Sequence, residues 1–210
     1  MPAAQPAGRP AAPTAPAPPQ VTAPDEEGAM DAIELLKHDH RRVEQLFRDY
    51  RAAASRTQRR AVVELMIREL SQHAALEEMM LYPLAKKVLP DGEQKIDEHL
   101  SEHMAVKKLL FALDRLPSGD EREAGLVAEL KQEIDEHIRE EEGETMPALR
   151  DRVSQEKLDE LGRLLDRARR TAPTRPHPNA PDQPPALAVL GPVAAAYDRL
   201  RDRLHGRPST

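Results

Sequence analysis

Four successive stretches of this chain repeat apolar residues at alternating steps of three and four, and that period limits the fold more than any other feature. The first stripe runs Ile33, Leu36, His40, Val43, Phe47, Tyr50. The second runs Val63, Met66, Leu70, His73, Glu77, Met80, Leu84. The third runs Ile96, His99, His103, Val106, Leu110, Leu113, and the fourth Val127, Leu130, Ile134, His137, Glu141. Four amphipathic helices joined by short breaks favour antiparallel neighbours, so an all-α, up-and-down four-helix bundle is the expected architecture.

Local signals set the helix limits. Asp31 with Glu34 three residues on reads as a cap, and the first helix runs to about Ala54. Ser55 with Gln58 opens the second, which continues to about Val88 with a kink expected at Pro83. Pro90, Asp91 and Gly92 turn the chain into a third helix over roughly Glu93 to Leu116. Pro117, Ser118 and Gly119 break it, and a fourth follows from about Asp120 to Arg150, bent or ended near Pro147. A shorter fifth helix fits residues 155 to 170.

The remainder has a different composition. Residues 1–28 are dominated by Ala and Pro and cannot bury enough apolar surface to offset their ordering entropy, so a disordered tail is expected there. Residues 171–210 read as a Pro-rich linker over 171–185 followed by a short amphipathic segment over 187–205. The bundle domain is therefore expected over residues 29–170. The chain has no cysteine, which removes disulfides, thiolate metal sites and iron–sulfur clusters together. No apolar run reaches the roughly 20 residues that span a bilayer. The amino terminus lacks the basic start and apolar core of a secretory signal. A cytoplasmic protein with no membrane association is the expectation. A net charge of -6 of mixed sign gives no reason to expect nucleic-acid binding.

The stripes themselves carry the chemistry. Each of the four helices has at least one histidine on the face to be buried, and two also carry a glutamate there. A buried ionised carboxylate without a partner is strongly unfavourable. No Lys or Arg lies on these stripes to pair with Glu77 or Glu141. A pair of dications satisfies both acids directly. Residues four apart lie about 6 Å apart along a helix on one face. His73 with Glu77, His99 with His103, and His137 with Glu141 therefore each aim two donors at one level, with His40 adding one more. Nitrogen and oxygen donors without sulfur suit iron or manganese, with zinc a further option. Glu78 and Glu142 lie one position off the stripe, about 100° around the helix. Glu77 and Glu141 are therefore the preferred ligands, with Glu142 kept as an alternative to Glu141. His38 should face away from the core, and His177 and His205 lie in the C-terminal region; none of the three is a ligand candidate.

The segments "LLKHDHRRVEQLF", "HAALEEMMLYP", "HLSEHMAVKKLL" and "HIREEEGETMP", in that order over roughly residues 30–150, resemble the hemerythrin-like, or HHE cation-binding, domain of the bacterial type. The resemblance implies a non-haem di-iron centre. His99, His103 and His137 would hold one iron, His40 and His73 the other, and Glu77 and Glu141 would bridge. One coordination position would remain open to dioxygen, hydrogen peroxide or nitric oxide. In the oxygen carriers of the family an aspartate follows the last histidine by five residues, whereas here Glu141 follows His137 by four. Within this resemblance the chain would bind oxygen, act in oxidative stress as a catalase-like enzyme, or handle nitric oxide. The alternative is a regulatory module in which the metal site is a sensor or a structural clasp, with an unidentified protein partner.

Plainer roles are expected for the other conspicuous residues. The Glu-rich run 140–144 reads as solvated surface apart from Glu141. For Tyr82 two places are open, near the site or, the preferred reading, at the bundle end with its hydroxyl toward water. Met66, Met79, Met80 and Met104 read as gap-filling core residues. Replacing His73 or Glu77 by Ala should abolish two-metal binding, and replacing Glu78 or His38 should not.

Overall fold

The computed structural model describes residues 30–179, together with Ala196 and Asp198. The expected tail over 1–28 lies outside the described residues, as do His205 and the segment 187–205 apart from Ala196 and Asp198. All regular structure among the described residues is helical. Helices α1 (Ala32–Ala52) and α2 (Arg56–Leu76) lead into a π-helical turn over Glu77–Leu81 and then α3 (Tyr82–Val88). Next come α4 (Gly92–Arg115) and α5 (Glu123–Glu140), a second π-helical turn over Glu141–Thr145, α6 (Met146–Arg150) and α7 (Gln155–Arg169). Each π turn runs directly into the short helix after it, so α2–α3 and α5–α6 are two long rods. With α1 and α4 they form an up-and-down four-helix bundle. α7 packs on the outside, against α1 and α2.

The starts of the rods follow their caps. Asp31 Oδ1 accepts from the backbone N–H groups of Ile33 and Glu34 at 2.9 and 3.0 Å. Ser55 Oγ accepts from Gln58 N–H at 3.2 Å, while Gln58 Oε1 accepts from Ala54 N–H at 2.8 Å, a reciprocal cap. Gly119 takes φ +82° in the turn between α4 and α5, a conformation that side chains other than glycine adopt at a cost.

Both expected proline bends are resolved in the same way. Pro83 and Pro147 have no N–H, and their rings crowd the carbonyl four residues back. The helix widens just upstream instead of kinking at the ring. Tyr82 N–H bonds to the Glu77 carbonyl, and Met146 N–H bonds to the Glu141 carbonyl, each five residues back. One extra residue in the turn rotates everything after it by about 100°. The stripe expected to continue through Met80 and Leu84 therefore moves to Leu81, Tyr82 and Ala85, which are buried, while Met80 and Leu84 are only partly so.

The core is divided in two. One apolar cluster gathers Ile33, Leu36, Leu76, Leu81, Ile96, Met146 and Leu149 with Leu158 and Leu165 of α7. The other gathers Val43, Phe47, Met66, Leu70, Val106, Leu110, Val127 and Ile134. Along each helix the inward histidines, with Glu77 and Glu141, fall between these clusters. Residues 172–176, expected to belong to a linker, are buried against the bundle. Arg175 forms ion pairs with Glu64 of α2 at 2.9 Å and Asp114 of α4 at 2.8 Å. Asp198 accepts from the backbone N–H groups of Thr174 and Arg175, both at 3.1 Å. Proline content alone suggested a free linker; paired charges at Arg175 hold this segment down. No helix among the described residues is long and apolar enough to cross a membrane.

Candidate metal centre

The seven residues singled out from the sequence occupy one layer of the bundle, and all are buried. His40, His73, Glu77 and Glu141 each offer one donor atom, the four lying within 4.8 Å of one another. Glu77, His103 and His137 form a second such group. Glu77 is common to both, so the layer holds two adjacent donor sets with a shared carboxylate. His99 stands at the edge. Its ring centroid is 5.4 Å from that of His137, and its Nε2 hydrogen-bonds to the Thr145 hydroxyl at 2.9 Å.

The inward atoms are Nε2 nitrogens and carboxylate oxygens. His73 Nε2 stands 3.1 Å and His103 Nε2 3.3 Å from the two oxygens of Glu77. His40 and His137 approach Glu141 Oε2 at 3.4 and 3.7 Å. Nε2 atoms also face each other, His40 with His73 at 3.1 Å and His103 with His137 at 3.4 Å. Glu77 and Glu141 are fully buried, and none of their four oxygens accepts a hydrogen bond. The histidine nitrogens nonetheless come within 3.1–3.7 Å of those oxygens. Their attraction is electrostatic without the alignment of a hydrogen bond.

The outward nitrogens explain that alignment. His40 Nδ1 bonds Glu142 at 2.8 Å, and His103 Nδ1 bonds Glu78 at 2.9 Å. His99 and His137 both direct Nδ1 to Glu102 Oε2, at 3.1 and 2.9 Å. His73 Nδ1 lies 3.5 Å from Asp39 Oδ2. A carboxylate on Nδ1 holds the proton there and leaves the Nε2 lone pair pointing inward, the arrangement of metal-bound histidines. Three of these outer acids are held in turn by cations. Arg41 contacts Glu142 at 3.1 Å, Lys107 contacts Glu78 at 2.7 Å and Arg169 contacts Asp39 at 2.6 Å. Among the described residues no Lys or Arg reaches Glu77 or Glu141.

Charge is thus concentrated without balance. Burial disfavours imidazolium, yet Glu77 and Asp39 outweigh it at His73 and lift that group well above its ordinary value. At His103 the same opposition of burial with Glu77 and Glu78 ends at about 9. Burial would raise Glu77, but His73 and His103 pull its carboxyl well below the usual range. At His137 burial prevails and the group is lowered. Without a metal the centre draws protons to offset its acids. A pair of dications would replace them, and the N/O donor set, the two buried acids and the inward lone pairs all fit such ions.

Three sequence expectations need correction. Tyr82 does not point to water: it is 2% exposed, and its hydroxyl lies 3.0 Å from His103 Nε2. The π turn before it rotates it inward. Glu142 is not simply solvated, since it holds His40. Glu78 is 2% exposed and holds His103, so it is no neutral control. His38 is exposed as expected. The outer acids were missed because each lies off the apolar stripe. The signal was the doublet Glu77–Glu78 and its counterpart Glu141–Glu142, where the first acid faces in and the second reaches a neighbouring helix.

Comparison with known proteins identifies the family of this bundle. The family model of the hemerythrin HHE cation binding domain matches residues 31–149. The chain belongs to this family. The hemerythrin-like chain is 28% identical over 171 residues to an uncharacterized hemerythrin-like protein of Schizosaccharomyces pombe, covering 81% of this chain and 84% of that protein. It is similar to the crystal structure of a hemerythrin HHE cation binding domain-containing protein from Mycobacterium kansasii. There the TM-score is 0.58 and identity 26%, over 67% of this chain and 86% of that one. A DNA nickase of Nostoc is 23% identical over 140 residues, which span 67% of this chain and 39% of the nickase.

Proposed function

We propose that this hemerythrin-like chain is a non-haem di-iron protein that binds or reacts with a small oxidant: dioxygen, hydrogen peroxide or nitric oxide. Glu77 and Glu141 would be shared between the two metals. His99, His103 and His137 would hold one iron and His40 and His73 the other, leaving room there for the small molecule. One observation carries this reading: the four carboxylate oxygens of Glu77 and Glu141 are wholly buried, accept no hydrogen bond and stand among four histidine Nε2 atoms at 3.1–3.7 Å. Such a cluster is unfavourable unless its charge is offset, and a pair of cations would offset it directly.

The metal pair, when bound, supplies up to two electrons to the oxidant. The chain supplies everything around it. Glu142, Asp39, Glu78 and Glu102 fix the histidine rings and make their inward nitrogens better donors. The Tyr82 hydroxyl, 3.0 Å from His103 Nε2, is a buried O–H at the edge of the donor set, where it can hold or give a proton. The apolar clusters on either side keep bulk water out.

The test is metal content of the chain purified without oxygen and supplied with ferrous iron. About two irons per chain are expected. His73→Ala or Glu77→Ala lowers the count, and His38→Ala leaves it unchanged. A chain that binds no metal overturns the proposal. Peroxide or dioxygen turnover by the loaded protein then separates an enzyme from a sensor or structural clasp.

A further inference from the structure

α7 lies beyond residues 31–149, the part shared with the family model, yet it reaches the metal layer. Its seat is specific. A side chain at Gly162 would place a Cβ 2.3 Å from the Met30 carbonyl oxygen, so α7 lies directly on the start of α1. Leu158 and Leu165 are fully buried beneath it. Gln155 Nε2 donates to Asp31 Oδ2 at 3.0 Å, and Gln72 Nε2 donates to the Arg169 carbonyl at 3.1 Å. These contacts seat the helix without the Arg169 side chain. The Arg169 side chain does something more particular: its Nη2 donates at 2.6 Å to Asp39 Oδ2, the same oxygen that faces His73 Nδ1 at 3.5 Å. Asp39 is 8% exposed, so its carboxylate has little water to turn to.

The other outer contacts of the layer span 2.8–3.1 Å. The Asp39–His73 contact is longer, as expected of an oxygen already engaged by a guanidinium. Arg41 and Lys107 play the matching part for Glu142 and Glu78, but both come from within the bundle.

We propose that Arg169 is a positioning residue for the metal centre, holding the Asp39 carboxylate against the outer nitrogen of His73 and so making metal retention on the His40–His73 side depend on the docked α7. This rests on the metal reading above. It predicts that the appended helix is part of the site and not only a cover.

The test is a double-mutant cycle on the full chain, read by chelator competition for ferrous iron without oxygen. Arg169→Ala should weaken retention of one of the two metals about tenfold, the lower end of the range for groups behind a ligand. Arg169→Lys should recover most of that loss, and Arg163→Ala, an exposed arginine of the same helix, should have no effect. In an Asp39→Asn background Arg169→Ala should add less than about twofold. An equal loss in both backgrounds would mean that Arg169 acts only by docking α7, and the proposal would fall. A second readout needs no metal: the imidazole 15N signal of His73 in the metal-free chain should move in Arg169→Ala and hold in Arg163→Ala. An unmoved signal overturns the link. If the wild-type chain takes up no iron, the metal reading fails by itself, and the His73 signal still decides whether Arg169 positions that ring.

Discussion

Glu102 offers the most direct test of whether the outer carboxylates matter, because one of its oxygens serves two histidines. Oε2 accepts from His99 Nδ1 at 3.1 Å and from His137 Nδ1 at 2.9 Å. Burial acts to raise this carboxyl, but the His137 and His99 contacts outweigh it and hold the group well below the usual range. Glu102→Gln keeps the shape and an acceptor oxygen and removes the charge. A hydrogen bond to a charged group contributes about 1.5–3 kcal/mol and a neutral one about 0.5–1.5, so each of the two bonds loses about 1 kcal/mol. The sum, about 2 kcal/mol, corresponds to about a 30-fold weaker hold on the metal that His99 and His137 serve. The side chain is 25% exposed, so screening trims this figure and does not abolish it. The assay is competition with a calibrated chelator under anaerobic conditions, with Glu98→Gln as the control. Glu98 is exposed on the same helix and accepts from Gln94. Equal affinities for wild type and Glu102→Gln, or an equal loss in the control, would refute the argument that outer acids set the donor strength of this layer.

Other expectations follow from the same contacts. Asp31→Ala removes the α1 cap and the acceptor for Arg150, and should lower stability by about 1–2 kcal/mol in urea unfolding. The Asp31 carboxyl is also depressed: burial opposes this, and Arg150 and Gln155 outweigh it. Its contribution is therefore present above the ordinary aspartate value near 3.8 and is lost as pH falls through the lower folded value. Gly162→Ala forces a Cβ into the Met30 carbonyl and should cost about 1–3 kcal/mol, seen as a lower melting temperature. In the metal-free chain His103 is raised from 6.5 to about 9. Its stabilising share is full below 6.5 and fades as pH rises toward 9, so metal-free protein should melt lower at pH 9 than at pH 6.5. Metal uptake at neutral pH should release protons, measurable in weakly buffered solution.

Most of the bundle was legible because its signals are local. The three-and-four period, the Asp31 and Ser55 caps and the Pro–Gly breaks each act within a few residues of where they stand in the chain. The inward donors were legible for the same reason, since one helical face fixes which residues share a level. What could not be read depends on one helix meeting another. Nothing in the sequence says that Glu102 of α4 meets His137 of α5, or that Arg169 meets Asp39 across the bundle surface. Tyr82 was misplaced for a different reason. The period was continued at 3.6 residues per turn through a segment that widens to accommodate a proline, and a single added residue turns the stripe.

That widening coincides with the segments in which two helices each donate an acid pair. In α2–α3 the order is His73, Glu77, Glu78, Pro83; in α5–α6 it is His137, Glu141, Glu142, Pro147, with the same spacing. Both π turns begin at the inner glutamate. Neighbouring residues on a helix diverge by about 100°, and such a pair can serve the layer from within and from behind, as Asp39–His40 does on α1 and Glu102–His103 on α4. Here the first faces the centre, and the second reaches the outer nitrogen of a histidine on a neighbouring helix: Glu78 to His103, Glu142 to His40. In both rods the proline that disturbs helical hydrogen bonding follows the inner carboxylate by six residues, and the wide turn fills that interval. Replacing Pro83 by Ala removes the reason for the wide turn. If this link holds, Pro83→Ala should strengthen the helix locally, as seen in slower amide exchange, yet weaken metal retention by turning Glu78 and Tyr82 out of register. Slower exchange with unchanged retention would show that the π turn persists without its proline, and that the inner glutamate and not Pro83 sets it.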